Sequence, residues 1–156
     1  MVGKVVSGGQ TGVDRAGLDV ALELGIPCGG WCPKGRLAED GAIPPRYPLL
    51  ETPSAEYPQR TERNVRDSDG TLVLARGLPR GGSAFTLRVA ERLGRPHRAV
   101  DLAEDPDPEA VRLWIAVHSI RTLNVAGPRE SDSPGIHAEA AAFLRRTLAP
   151  ARTGPA

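Results

Sequence analysis

The stretch that most constrains the fold is a glycine-rich turn at residues 7–15, SGGQTGVDR, near the start of the chain. It follows a β-branched run at residues 2–6 and leads into apolar residues that recur at helical spacing as far as Leu24. Gly25 and Pro27 then end the helix. A strand, a tight turn and a helix in this order bring unpaired backbone N–H groups and the positive end of a helix to one place. The turn therefore predicts a site for a small anion.

An ordinary βα turn with no ligand is the alternative interpretation, because the glycine spacing fits neither GxxxxGK[ST] nor GxGxxG. Polar side chains within the turn favour a binding site, since a simple turn does not require them. The candidate binding residues in this turn are Gly8, Gly9, Gln10, Thr11, Gly12, Asp14 and Arg15.

Composition limits the kind of ligand and the surroundings. The 156 residues suffice for one domain, which we place at residues 1–149 with a frayed tail at 150–156. A formal net charge of +1 gives no bulk attraction to nucleic acid or to an anionic membrane, so the predicted partner is a small molecule. No apolar run is long enough to span a membrane and no signal sequence is present, so we expect a cytoplasmic protein. Cys28 and Cys32 fit neither a redox pair nor half of a zinc site, and no metal site is predicted.

A second glycine turn repeats the arrangement of the first. The apolar run at residues 70–75 predicts a buried strand, and the sequence RGGSAFT at residues 80–86 then opens an amphipathic helix that ends near Leu93. The two hydroxyl side chains in this turn either cap the helix or bind an anion. The candidate binding residues here are Arg80, Gly81, Gly82, Ser83 and Thr86.

Two polar segments complete the predicted site. A proline-rich loop at residues 32–53 has Trp31, Lys34 and Arg36 at its root, and it is either a lid over the ligand or a solvated surface loop. Trp31, Lys34 and Gly35 are the candidate binding residues here. Residues 56–69 predict a helix with hardly any apolar face, on which Thr61 and Asn64 share one side. We expect that side to line a polar pocket, with a subunit interface or full exposure as the alternatives.

Further strands at residues 26–31, 97–102 and 122–126 alternate with helices near residues 106–118 and 134–148. This alternation predicts a three-layer α/β fold, in which helices cover both faces of an open parallel sheet of about five strands. We predict the strand order 2-1-3-4-5, which places both glycine turns at the topological switch point. A third polar turn, at residues 124–131, would then lie about 14 Å away at roughly 4.8 Å per strand.

Five motifs in order carry a family resemblance over nearly the whole chain. They are SGGQTGVDRA (7–16), WCPKGR (31–36), RTERNVRDSDGT (60–71), GGS (81–83) and LNVAGPR (123–129). The chain resembles the molybdenum cofactor carrier proteins. That resemblance implies a Rossmann-like fold in the superfamily of the cytokinin-activating phosphoribohydrolases, also called lysine-decarboxylase-like, and a homo-oligomer, either dimer or tetramer.

The resemblance also implies molybdenum cofactor (molybdopterin) as the ligand and molybdoenzymes as partners. The terminal phosphate of the cofactor would lie on Gly8, Gly9, Thr11, Gly12, Gly81, Gly82 and Ser83. The related hydrolases carry PGGxGT followed by a catalytic Glu, whereas this chain has no Gly at the fifth place and no Glu before Glu91. We therefore expect a carrier without catalytic residues, with a nucleoside-monophosphate phosphoribohydrolase or a sensor of a nucleotide-derived ligand as the alternatives.

Overall fold

The computed structural model describes residues 1–150, which form helices, a central sheet and two small accessory sheets. The helices are α1 (Val13–Leu24), α2 (Tyr57–Arg66), α3 (Gly81–Arg92), α4 (Pro108–Val117) and α5 (Ile136–Leu148). The strands are β1 (Lys4–Val6), β2 (Cys28–Gly29), β3 (Trp31–Cys32), β4 (Leu37–Ala38), β5 (Gly41–Ala42), β6 (Leu50–Glu51), β7 (Gly70–Ala75), β8 (His97–Asp101) and β9 (Thr122–Ala126). The predicted strand at residues 26–31 is thus divided between β2 in the central sheet and β3 in an accessory sheet.

The central sheet is parallel throughout, with the order β2-β1-β9-β7-β8. The predicted strand order is therefore wrong, because the last strand lies between the first and the third. Leu123, Asn124 and Val125 of β9 are all buried, whereas His97 and Ala99 of β8 are exposed. An apolar strand buried on both faces belongs inside a parallel sheet, and a polar strand belongs at its edge.

Helices cover both faces of this sheet, as predicted for a three-layer fold. α1, α4 and α5 pack on one face around a core that includes Val5, Val20, Trp114, Leu123 and Phe143. α2 and α3 pack together on the other face, where Val65, Val89 and Ala90 form a smaller core. No helix within residues 1–150 is long and apolar enough to cross a membrane.

The proline-rich loop is an ordered segment with its own core. Ile43, Tyr47 and Leu49 pack with Cys32 and with Leu18 of α1 in a cluster separate from the core of the central sheet. The guanidinium of Arg36 donates to four carbonyl oxygens, those of Ile43, Pro44, Tyr47 and Leu49. These bonds satisfy backbone groups that proline-rich sequence cannot pair in strands.

Two predictions fall outside what the structure tests. The frayed tail lies, from residue 151 onward, outside the described residues. The single-domain boundary at residue 149 stays a prediction.

Candidate functional site

A cavity of about 780 Å³ lies at the carboxyl edge of the sheet, among the turns that follow β1, β7 and β9. α2 forms a further wall. Such a volume falls within the usual range for small-molecule sites, and this edge is where open α/β sheets bind ligands. The predicted site residues that line it are Gly8, Gln10, Asp14, Thr61, Asn64, Arg80, Gly81, Gly82, Ser83 and Thr86.

The remaining predicted residues lie outside this lining, and they are Gly9, Thr11, Gly12, Arg15, Trp31, Lys34 and Gly35. Their contacts are with the protein itself. The Arg15 guanidinium donates to the Gly9 carbonyl oxygen and pairs with Asp40. The Trp31 indole donates to Asp67 at 2.9 Å, the Gly35 amide donates to Glu51, and Lys34 is exposed.

The second glycine turn presents an open helix N-terminus to the cavity. No side chain caps α3, and a Cβ built on Gly81 or Gly82 would meet nothing within 4 Å. The amides of Ser83 and Ala84 donate to the Arg80 carbonyl oxygen, whereas those of Gly81 and Gly82 have no backbone or side-chain acceptor among the described residues. The unpaired donors and the positive helix end together suit an anion.

The two hydroxyls of this turn differ in their roles. The Thr86 Oγ1 donates to the Gly82 carbonyl oxygen at 2.8 Å, so its proton is used inside the helix. Ser83 Oγ has no hydrogen-bond partner among residues 1–150, and the side chain faces the cavity. Neither hydroxyl caps α3.

The first glycine turn is filled by the protein, contrary to the expectation that both turns share one anion. The Gly9 amide donates to Ser7 Oγ, the Gln10 amide to Asp14 Oδ2, and the Thr11 amide to Gln10 Oε1. The Val13 amide, at the start of α1, donates to the Pro128 carbonyl oxygen at 3.2 Å. The first turn therefore offers few donors to a ligand.

The third polar turn lies in the middle of the edge because β9 is central in the sheet. Glu39 of the proline-rich loop ties it to the first turn by accepting from Thr11 Oγ1 and from the Ser131 amide and hydroxyl. These hydrogen bonds lower the pKa of Glu39. Glu130 accepts from the amides of Gly135 and His137 and so caps α5, which lowers the Glu130 pKa.

A buried ion pair lies at the wall of the cavity nearest β1. Arg60 Nη1 is 3.3 Å from Asp14 Oδ2, and the two side chains are 14% and 6% exposed. Burial raises the pKa of Asp14, an effect that Arg60 and the amides of Gln10 and Gly127 oppose. A side chain on Gly8 would overlap the Arg60 guanidinium, which explains glycine at that position.

Arginines dominate the charge of the cavity. Four of them line it, Arg60, Arg76, Arg80 and Arg129, with two aspartates, Asp14 and Asp132. The guanidinium carbons of Arg60 and Arg129 lie 5.1 and 5.6 Å from the centre of the Tyr57 ring. The excess of positive charge is local, as the near-neutral composition requires of any anion site.

Sequence reasoning missed several residues of the lining, including Tyr57, Arg60, Arg76, Phe85, Asn124 and Arg129. Arg129 and Asn124 are not among the predicted site residues, because the wrong strand order places the turn at residues 124–131 far from the two glycine turns. Arg60 lies four residues before Asn64 on the helix predicted to line a pocket, so helical spacing alone was a usable signal.

The predicted site residue Asn64 has a clear structural role. The Asn64 side chain accepts from the Trp31 amide and donates to the Trp31 carbonyl oxygen, at 2.8 and 2.9 Å, and so joins α2 to β3.

Cys28 and Cys32 are free thiols whose pKa values are raised by burial, and neither lines the cavity. Residues 1–150 contain no group of three or more His, Cys, Asp or Glu able to hold a metal ion.

The sheet, its helical layers and the cavity at its carboxyl edge define a Rossmann-like α/β protein. The particular family follows from the sequence, because residues 5–148 match the model of the circularly permuted YpsA SLOG family, and the chain belongs to that family. The chain is also similar to a crystal structure from Syntrophus aciditrophicus named "Putative molybdenum carrier protein". The identity is 45%, the TM-score is 0.90, and the match covers 95% of this chain and 96% of the other. No curated protein shows significant similarity to the chain.

Proposed function

We propose that the protein is a carrier that binds molybdenum cofactor through its terminal phosphate. The observation that carries this proposal is the uncapped N-terminus of α3, which opens into a cavity lined by four arginines. The phosphate accepts from the amides of Gly81 and Gly82 and from Ser83 Oγ, and Arg80 supplies a balancing charge. The similar structure named as a molybdenum carrier supports the choice of cargo.

The cavity suits this cargo in size and in donors. Its volume of about 780 Å³ accommodates a phosphorylated pterin. The lining contains no cysteine or histidine. The metal would therefore remain on the dithiolene of the cofactor itself, which suits a protein that must release its cargo.

The hydrolase alternative lacks support at the same site. The two carboxylates that line the cavity are engaged, Asp14 with Arg60 and Asp132 with Arg129. A phosphoribohydrolase needs a carboxylate positioned for catalysis at the glycine turn, and that position holds Ala84 to Thr86 here.

Gly82→Asp tests the proposal directly. The new carboxylate would occupy the open space at the helix N-terminus and repel phosphate, so affinity for the cofactor should fall about 100-fold or more, roughly 2.7 kcal/mol. The same change places an acid in the first turn of α3, which stabilises a helix by about 0.3–1 kcal/mol. Loss of binding with an unchanged or higher Tm would therefore not reflect unfolding.

The measurement is anaerobic titration of the purified protein with molybdenum cofactor, followed by transfer to an apo-molybdoenzyme. Gly3→Asp is the matched control, because Gly3 is exposed, a Cβ there would have no neighbour closer than 3.9 Å, and the residue lies outside the cavity. We expect wild type and Gly3→Asp to bind at micromolar cofactor and to restore the apoenzyme. Absence of binding by wild type, or equal binding by Gly82→Asp, would refute the carrier proposal.

A further inference from the structure

The end of the cavity farthest from the α3 N-terminus has a different chemistry. Arg60 crosses Gly8, just beyond β1, whereas Gly81 and Gly82 follow β7, and β9 lies between the two strands. Two strand spacings of about 4.8 Å separate the ends by roughly 10 Å. A phosphate at the N-terminus of α3 would therefore leave room for another part of the ligand beside Arg60.

The Arg60 and Asp14 pair is a poor site for a second anion. Its formal charges cancel, and the carboxylate lies 3.3 Å from the guanidinium, so a second phosphate would gain from one group and be repelled by the other. The guanidinium carries five N–H donors and the carboxylate only acceptors. Within residues 1–150 Arg60 makes one hydrogen bond, to Asp14, which leaves most of its donors for a ligand.

The Arg60 guanidinium supplies hydrogen-bond donors and the adjacent Asp14 carboxylate supplies acceptors. A ring that presents acceptors to Arg60 and donors to Asp14 would match both groups. The 2-amino-4-oxopyrimidine ring has an amino group and a ring N–H next to a carbonyl oxygen. Its amino and N–H groups would donate to Asp14, and its carbonyl oxygen and neighbouring ring nitrogen would accept from Arg60. Arginine pairs with the same carbonyl and ring-nitrogen pattern of guanine in nucleic acids.

We propose that Asp14 and Arg60 determine specificity by recognising the 2-amino-4-oxopyrimidine edge of a ligand whose phosphate lies at the N-terminus of α3. This ring is common to pterins and to guanine, and the inference rests on the proposed phosphate site. Arg60 is held for this role by the Tyr57 ring and by the absence of a side chain at Gly8.

Ligand variants test the assignment on the unmodified protein, so folding is not in question. GMP, IMP and AMP share ribose and phosphate, but IMP lacks the 2-amino group and AMP also replaces the oxo group with an amine. We expect calorimetry to show GMP binding at least tenfold tighter than IMP and AMP, because IMP loses the hydrogen bond from the 2-amino group to Asp14 and AMP also loses those of the ring N–H and the carbonyl oxygen. Equal affinities for the three nucleotides would overturn the proposal.

A second pair of probes separates the two sources of the ring. 6-Hydroxymethylpterin carries the 2-amino-4-oxo edge without a phosphate, and the corresponding lumazine has an oxo group in place of the amine. We expect the pterin to bind at least tenfold tighter than the lumazine. A preference for the pterin over guanosine, neither of which carries a phosphate, would identify a pterin as the ligand, and the reverse would identify a guanine nucleotide, while absence of both the pterin and the guanine preference would overturn the assignment.

Substitutions of Asp14 and Arg60 test whether this pair causes the ligand preferences. Asp14→Asn should reduce the preference for GMP over IMP to less than about threefold, and Arg60→Lys, which keeps the charge but loses the fork, should weaken GMP and pterin binding about tenfold. Asp105→Asn is the control, because it makes the same change at an exposed aspartate outside the cavity, and it should keep the GMP preference. Circular dichroism and Tm establish that each variant is folded.

The outcomes distinguish this inference from the carrier proposal. Nucleotides that bind without base preference, and whose binding is lost in Gly82→Asp, would leave the phosphate site standing and remove the roles of Asp14 and Arg60. A GMP preference retained in a folded Asp14→Asn protein would likewise remove them.

Discussion

The two glycine turns read alike in the sequence, yet one is packed inside the protein and the other is open. In turn one, residues 7–12, the amides of Gly9, Gln10 and Thr11 donate to Ser7, Asp14 and Gln10, and a Cβ on any of its three glycines would overlap protein atoms. Turn two, residues 80–83, meets no protein atom within 4 Å of its glycine Cβ positions. Glycine therefore serves close packing in the first turn and access for a ligand in the second.

The difference comes from what each turn has for neighbours. The proline-rich loop and the turn after β9 both pack on turn one, and Glu39 of the loop accepts hydrogen bonds from turn one and from the turn after β9. Turn two lies beyond β7, where no comparable segment of residues 1–150 covers it. A glycine-rich strand-to-helix turn thus predicts the geometry of the backbone, while the neighbours decide whether a ligand can enter.

The largest expected effect comes from adding one methyl group to turn one. Gly12 has φ of 81°, and a Cβ there would overlap the Pro128 carbonyl oxygen and the backbone of Arg129 and Glu130. Gly12→Ala should lower the free energy of unfolding by about 4 kcal/mol or more, from backbone strain and overlap together. Urea denaturation measures this change.

Gly82→Ala is the control for that variant. It adds the same methyl group to turn two, in open space and without a positive φ, so stability should stay level or rise by about 0.5–1 kcal/mol. Equal destabilisation by Gly12→Ala and Gly82→Ala would contradict the conclusion that turn one is packed and turn two is open.

A smaller effect is expected from supplying α3 with a side-chain cap, which would occupy the open amides of turn two. Arg80 is the N-cap of α3 and makes no capping hydrogen bond. In Arg80→Asp the carboxylate would accept from the helix amides, raising stability by about 1 kcal/mol and competing with phosphate for the same donors. Thermal melting and phosphate titration measure the two changes, and Arg80→Ala removes the arginine without supplying a cap. Affinity in Arg80→Asp that matched Arg80→Ala would show that phosphate does not use these amides.

The smallest effect is expected at acid pH, and only at turns one and three. The pKa values of Glu39 and Glu130 are lowered by the hydrogen bonds that they accept. Their contribution to stability is therefore present above the ordinary glutamate pKa of about 4.3 and is lost as the pH falls through the lowered values. Because Glu39 is exposed and Glu130 is only partly buried, we expect less than about 1 kcal/mol.

Amide hydrogen exchange between pH 5 and 3 checks this prediction by residue. The amides of Ser131, Gly135 and His137 should lose protection as the glutamates become protonated. The amides of Ser83 and Ala84 donate to the Arg80 carbonyl oxygen and not to a carboxylate, so they should keep their protection. Uniform loss across all five amides would indicate global unfolding instead.

The fold class was predictable from the sequence because each strand and helix carries its own periodicity and its own glycine or proline boundary. Strand order was not read correctly, although the polar sequence HRAVD of β8 and the apolar TLNVA of β9 distinguish an edge strand from a central one. That error displaced the turn containing Arg129 from the site.

Within the candidate site, positions in the turns were predicted better than the contacts they make. Gly81, Gly82 and Ser83 line the cavity as expected. Gly9, Thr11 and Gly12 do not, because sequence periodicity carries no information about which distant carbonyl oxygen or side chain fills a turn. The pairing of Arg60 with Asp14 joins residues 46 positions apart, and no local pattern specifies it. Ligand binding by any of these residues stays a prediction.

The central position of β9 has a consequence for how the chain reaches its native state. β1 and β7 do not pair with each other, since both pair with β9, so the sheet stays as two separate halves until residues 122–126 have left the ribosome. Contacts between parts so distant along the chain make folding slow. A growing polypeptide that stops at residue 121 would expose two open strand edges, and chaperone capture of such stalled chains should exceed that of the finished protein.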